Sequence, residues 1–286
     1  MFKENAMNLN KIPNKLGVMQ GRLVPQESKK IQSFPWKNWK KEIRICGKNN
    51  FKILEWTVDH HKFYQNPINL KSCRKTINNL KIKHKVKTYS LTADFFMHKP
   101  FFKEKKKSNF LEEIQKLNTI LDNSKKIGIK YVIIPLVDNS SIKKFKNLNL
   151  FFKTMKSQEK TLRKNKQMIL FESDFEPKKL FKFIKKFNSK YFGINYDTGN
   201  SASLGHDLKE EIILFKYIKN IHIKDRFYKG KTTRLGTGDY NFKLFSRYIK
   251  KFNYKGNFIF QTARKKNKDI NEIIINKKFF LGKFKE

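Results

Sequence analysis

Eight short apolar runs separated by amphipathic, lysine-rich stretches predict an α/β chain, a single (β/α)8 TIM barrel. Three observations carry that prediction. The alternation runs from one end of the chain to the other, as a parallel sheet with crossover helices requires. Eight is the number of strands that closes a barrel, and 286 residues fit one such domain of about 250 residues plus insertions. An open, doubly wound sheet usually has fewer strands and often a glycine-rich turn after the first, whereas MQGRLVP is no GxGxxG turn.

The elements are read in chain order. Residues 1–15 form a polar lead-in, disordered or extended, without the apolar run of a signal peptide, and residues 16–286 form the barrel domain. The strands are expected at Leu16–Gln20, Lys52–Trp56, Val86–Leu91, Tyr131–Leu136, Gln167–Phe171, Phe192–Tyr196, Ile218–Ile223 and Asn257–Gln261. Helices between them include Trp36–Asn49, Asn109–Ile127, Lys178–Phe187, Leu208–Tyr217 and Lys243–Phe252. Between strands seven and eight, Asp225–Asn241 (DRFYKGKTTRLGTGDYN) is a long polar loop, and long loops in compact domains are more often functional than accidental.

Composition narrows the function classes. No run reaches the roughly 18 apolar residues of a membrane span. Cys46 and Cys73 have no metal-ligand or redox spacing, which argues against a disulfide framework and for a reducing, cytoplasmic setting. The formal charge of +41 invites a nucleic-acid reading. Its distribution argues otherwise: only eight of 65 basic residues are Arg, and the lysines spread over every helix beside Asn, Ile and Phe instead of forming one stripe. Adhesion to nucleic acid at low salt follows from such a charge, but no specific site does.

Side chains at the C-terminal ends of barrel strands converge on one open face. At those ends stand Glu55, Asp94, Glu172, Asp197, His222 and Gln261. Glu172 to Asp197 is 25 residues and Asp197 to His222 is again 25, one βα unit each, which predicts matching heights on adjacent strands. Two carboxylates, an imidazole and an amide oxygen suit one divalent metal ion: Mn2+, Mg2+ or Co2+, with Zn2+ ranked after them. Each residue also has a plainer role, Asp197 as a helix N-cap and His222 as a satisfied core histidine.

The segments GVMQGRLVP, IQSFPWKNW, LEWTVD, LFESDFEP, YDTGNSASLGHD, NIHIKDR, LGTGDYNF and FQTAR, in that order over roughly residues 15 to 265, resemble the xylose isomerase-like barrel superfamily. Within it the likeness is to sugar phosphate isomerases/epimerases. The resemblance implies one metal held by Glu172, Asp197 and His222, with Gln261 where the family has a final Glu. Gln offers a carbonyl oxygen to a hard cation but cannot take up a proton.

The implied chemistry is isomerisation or epimerisation of a keto-sugar or sugar phosphate through a metal-stabilised enediolate. Glu172 is the expected base, and Asp225, His206 or Glu55 is the expected second proton-handling group. Gln20, Arg22, Glu55, Lys224, Arg226 and Arg264 flank strand ends and are read as substrate-binding. The expected partner is thus a small-molecule sugar, with a homo-oligomer left open. A lyase acting on a polyol ketone begins with the same proton abstraction. An abasic-site endonuclease is the further alternative, but the chain has six His in all and Asn200 stands where that class wants another. A barrel that only binds a ligand is the last, against which the intact Glu172, Asp197 and His222 speak.

Overall fold

The computed structural model describes residues 12, 14–27, 32–145, 148–263 and 270–285. Eight parallel strands close into a barrel: β1 (Leu16–Met19), β2 (Ile53–Thr57), β3 (Ser90–Thr92), β4 (Tyr131–Leu136), β5 (Met168–Ser173), β6 (Phe192–Asp197), β7 (Ile218–Ile223) and β8 (Asn257–Phe260). Each pairs with the next, and β8 pairs with β1, Val18 lying opposite Phe260. The single (β/α)8 barrel read from the sequence is the observed fold.

Seven strands lie within a residue or two of their expected places. The third is shorter, Ser90–Thr92 in place of Val86–Leu91. The preceding helix, Lys71–His84, ends on Lys85 in the left-handed region, and the Val86 amide closes that turn onto Lys81 O. Val86 thus belongs to the helix cap, although its β-branched side chain suits a strand. The segment expected as one helix over Leu208–Tyr217 is a helical turn, Leu208–Glu211, followed by a 3-10 turn, Ile212–Leu214. The long loop contains a short antiparallel pair, Asp225–Arg226 with Thr232–Thr233. The lead-in read at residues 1–15 lies almost wholly outside the described residues.

Side chains alternate between the bore and the helix-facing wall. Met19, Ile53 and Ile259 plug the lower bore, where a Cβ on Gly17 would come within 2.6 Å of Ile259 Cδ1 and 2.7 Å of Ile53 Cβ. The wall is aromatic. Phe171 of β5 stacks on Phe192 of β6 at 5.9 Å between centroids, and Phe187 closes on Phe192 at 4.7 Å. Such pairs contribute about 0.5–1.5 kcal/mol each beyond simple burial. The consequence is positional: with Phe171 anchored in the wall, the next residue, Glu172, faces the bore. No helix among the described residues is long and apolar enough to cross a membrane.

Candidate metal centre

At the C-terminal end of the bore the inward positions turn polar yet stay buried: Glu55, Thr57, Ser90, Thr92, Glu172, Asn195, Asp197, Asn220 and His222. Register brings the key groups together. Asp197 pairs directly with His222 across β6 and β7, helped by an irregularity between Ile194 and Asn195 that realigns the two strands. Phe171 pairs with Ile194, so Glu172 stands level with Asn195, one layer below Asp197. The equal spacing therefore predicts neighbours correctly, and equal heights for Asp197 and His222, while the stagger of the barrel sets Glu172 one layer lower. Donor atoms of Glu172, Asp197 and His222 nonetheless lie within 4.8 Å of one another.

His222 is the pivot. Its Nε2 is 2.6 Å from Glu55 Oε1, and its Nδ1 is 3.2 Å from Glu172 Oε2 and 4.0 Å from Asp197 Oδ2. Glu55 also accepts from Ser90 Oγ at 2.5 Å, Thr92 Oγ1 at 3.0 Å and Asn220 Nδ2 at 3.0 Å. A carboxylate so placed accepts the Nε2–H hydrogen bond and turns Nδ1 toward the two acids, as a carboxylate does behind a metal-ligating histidine. Burial opposes charge on His222, but Glu55 on one side and Glu172 on the other push its pKa up to about 10. Burial likewise works against ionised Glu55, and His222 with the two hydroxyls holds its carboxyl below the ordinary range.

Asp197 serves two purposes at once. Its Oδ1 accepts from Gly199 N at 2.7 Å and Asn200 N at 2.9 Å, capping the helix Thr198–Leu204, while its Oδ2 faces Lys224 Nζ at 3.1 Å. Burial raises its pKa, but Lys224 and His222 outweigh that and hold it low. Glu172 is positioned by two amides, Asn195 Nδ2 at 2.8 Å and Asn200 Nδ2 at 3.0 Å.

The other expected site residues divide. Gln261 follows β8; its Oε1 is buried with no hydrogen-bond partner among the described residues, the state of an acceptor that awaits a ligand. Gln20 accepts from Thr57 N through Oε1 at 3.1 Å, and its Nε2 is likewise buried without a partner. Glu42 steadies the loop after β1 by accepting from Gly21 N and Leu23 N, and there Arg22 donates to Gln32 Oε1. Glu55, expected to face substrate, is fully buried behind His222. Arg226 caps its own hairpin on Gly230 O at 2.9 and 3.1 Å. Asp225 accepts from Gly236 N, Gly238 N and Tyr240 N. His206 sits 3.5 Å from Glu211, in a pocket behind the helix Thr198–Leu204. Arg264 lies outside the described residues.

Sequence reading missed the partners Asn195 and Asn220. Each stands two residues before a candidate ligand, on the same face of its strand, as a polar residue in an otherwise apolar run. That period of two was the signal available.

A metal ion suits these residues: two carboxylate oxygens and an imidazole nitrogen converge, and an orphaned amide oxygen is buried at the end of β8.

Residues 43–276 match the family model of the xylose isomerase-like TIM barrel. A protein of Haemophilus influenzae, provisionally named L-ribulose-5-phosphate 3-epimerase SgbU, is 30% identical over 103 residues, 33% of this chain and 36% of that protein. The match thus spans about a third of that relative's length. Two solved structures superpose over nearly the whole chain. The IOLI protein with a zinc atom has a TM-score of 0.71 and 15% identity, covering 94% of this chain and 98% of that one. A D-tagatose 3-epimerase-like protein has a TM-score of 0.69 and 17% identity, covering 95% and 97%. At such identity these two likenesses speak to the fold alone. With the matched model spanning most of the barrel, the chain belongs to the xylose isomerase-like TIM barrel family.

Proposed function

We propose that the protein is a divalent-metal-dependent isomerase or epimerase of a keto-sugar or its phosphate. One observation carries this reading: Glu172, Asp197 and His222 converge within 4.8 Å, with Glu55 fixing the imidazole from behind. The names of the Haemophilus relative and the tagatose epimerase-like structure support the same reaction class. Glu172, Asp197, His222 and the carbonyl oxygen of Gln261 would hold the ion. When bound, such an ion acts as a Lewis acid toward a carbonyl and its neighbouring hydroxyl.

The rest of the work falls to side chains. Glu172 is the base, held by Asn195 and Asn200 so that it can take the proton alpha to the carbonyl. Polar atoms without a partner among the described residues, Gln20 Nε2, Thr57 Oγ1 and Thr262 Oγ1, are an amide and hydroxyls. Such atoms pair with sugar hydroxyls, whereas a phosphate would seek arginine. Arg226 is engaged with Gly230 O and Arg22 with Gln32. Among the described residues these groups suit a polyol chain on the β1 and β2 side, and Lys224 Nζ stands 3.1 Å from Asp197 Oδ2.

The test is metal content and turnover of wild type beside His222→Ala and Glu172→Gln. About one Mn2+ or Co2+ per chain, lost in His222→Ala, together with ketose conversion lost in Glu172→Gln, supports the reading. No bound metal and no stabilisation by added Mn2+ or Co2+ would overturn it.

A further inference from the structure

Epimerisation returns the proton to the opposite face of the same carbon, which needs a second group beside Glu172, and Gln261 cannot be that group. The acids and the histidine expected for that task are committed elsewhere. Asp225 accepts three backbone N–H groups, His206 pairs with Glu211, and Glu55 is sealed behind His222.

One carboxyl is not committed. Asp94 follows β3 on the same alternation as Ser90 and Thr92, whose hydroxyls reach Glu55 inside the bore. It is 5% exposed, and its Oδ2 is buried with no hydrogen-bond partner among the described residues. The plainer role for such a residue is a helix cap, yet its side chain makes no capping bond to the helix Phe95–His98 that it precedes. Its charged surroundings are Asp59 and Glu55 from β2 and the segment after it, Glu172 from β5 and His222 from β7. Three of those neighbours are acids and His222 is the one cation, so the balance at a buried carboxyl oxygen without a hydrogen-bond partner among the described residues favours the protonated form. Burial pushes its pKa well up, Asp59, Glu172 and Glu55 push it further, and His222 opposes them. Gln20 Nε2 and Thr57 Oγ1, at the ends of neighbouring strands, also have no partner among the described residues, so the region is furnished for a polyhydroxylated ligand.

We propose that Asp94 is the second proton-handling group of this site, with its carboxyl facing the substrate beside Glu172. The inference rests on the epimerase form of the reading above. The Glu172 carboxylate takes the proton from the carbon alpha to the carbonyl, and the C–H electron pair moves into the carbonyl to give an enediolate. The Asp94 carboxyl then gives its proton to carbon; its O–H bond breaks, a C–H bond forms, and the carbonyl is restored. The cycle ends with Glu172 protonated and Asp94 ionised, and proton exchange with solvent resets both.

The experiment uses the full-length Mn2+-loaded protein in D2O with a panel of free ketopentoses and ketohexoses and their phosphates. Wild type is expected to form product carrying solvent deuterium. Asp94→Asn is expected to bind Mn2+ normally and to keep washing deuterium into recovered substrate. Its product formation should fall by about 100-fold or more, the usual worth of a positioned acid. Glu172→Gln should lose exchange and product together. A merely structural role for Asp94 would lower exchange and product in step, and that outcome, or product formation at the wild-type rate, overturns the inference while leaving the isomerase reading in place. Failure of wild type to exchange or convert any sugar overturns the isomerase reading and the donor role with it. Should Asp94→Asn not fold, infrared spectra of the Mn2+-loaded wild type at neutral pH decide: the carbonyl stretch of a protonated carboxylic acid supports the proposal, and its absence overturns it.

Discussion

Glu55 is the best place to test whether the imidazole is set for a cation, because it holds His222 without being one of the proposed ligands. Its two oxygens accept four hydrogen bonds: His222 Nε2 and Thr92 Oγ1 on Oε1, Ser90 Oγ and Asn220 Nδ2 on Oε2. Glu55→Gln preserves shape but leaves a single oxygen for these four donors. If the amide oxygen stays on His222, the new NH2 faces the Asn220 amide donor. If it turns, the NH2 confronts Nε2–H, and His222 must move its proton to Nδ1, the nitrogen meant for the metal. Either arrangement carries a cost. Changing a group behind a metal-ligating histidine lowers metal affinity by about 10–100-fold, or roughly 1.4–2.7 kcal/mol. Breaking a buried ion pair by removing one partner costs about 3–5 kcal/mol. Because His222 can lower that penalty by deprotonating, about 3 kcal/mol is expected, near a 6–12 °C fall in Tm for a chain of this size. Calorimetric titration with Mn2+, beside thermal melts with and without metal, reads both. Wild-type Mn2+ affinity in Glu55→Gln would refute the reasoning that Glu55 prepares His222 for a cation.

The remaining predictions concern neighbouring groups. Metal binding should strengthen as pH rises, by up to about tenfold per unit between about pH 6 and 8, because the cation must displace a proton from His222, raised to about 10 in the free protein. The sign for stability is opposite. Without metal, the raised pKa of His222 gives stability that is fully present below its unfolded value of about 6.5, as long as Glu55 stays ionised, and is lost as pH rises through about 10; Mn2+ titrations and melts across pH check both. Lys224→Met removes the ammonium 3.1 Å from Asp197 Oδ2 and should tighten Mn2+ binding by about fivefold, roughly 1 kcal/mol of relieved competition; unchanged affinity would show that Lys224 does not compete. Asp225→Asn should cost about 3 kcal/mol, since charged hydrogen bonds to three backbone amides are weakened, while turnover per folded molecule persists. A 100-fold loss of kcat with the fold intact would instead place Asp225 in the chemistry.

By itself the sequence determined the architecture and the metal-binding candidates. Local rules suffice for both: apolar runs such as Tyr131–Leu136 and Phe192–Tyr196 have to be buried on two faces, and eight of them separated by helices have few arrangements other than a barrel. Glu172, Asp197 and His222 were legible because the residue that ends a barrel strand is directed to one face whatever its distant neighbours are. What happens to each polar group after that depends on partners far away in the chain, and only the tertiary structure decided it. Glu55 and His222, 167 residues apart, meet because β2 and β7 enclose the same bore. Asp225 resembled an acid of the site, but the glycine-containing loop turns back and delivers Gly236 N and Gly238 N to its carboxylate. Asp94 looked like one more strand-end acid, and what distinguishes it is the lack of a partner for Oδ2 among the described residues, a property of the groups around it. Direction along a strand is local, being fixed by backbone geometry. Satisfaction of a buried charge is not, because the groups that solvate it in place of water are supplied by the fold.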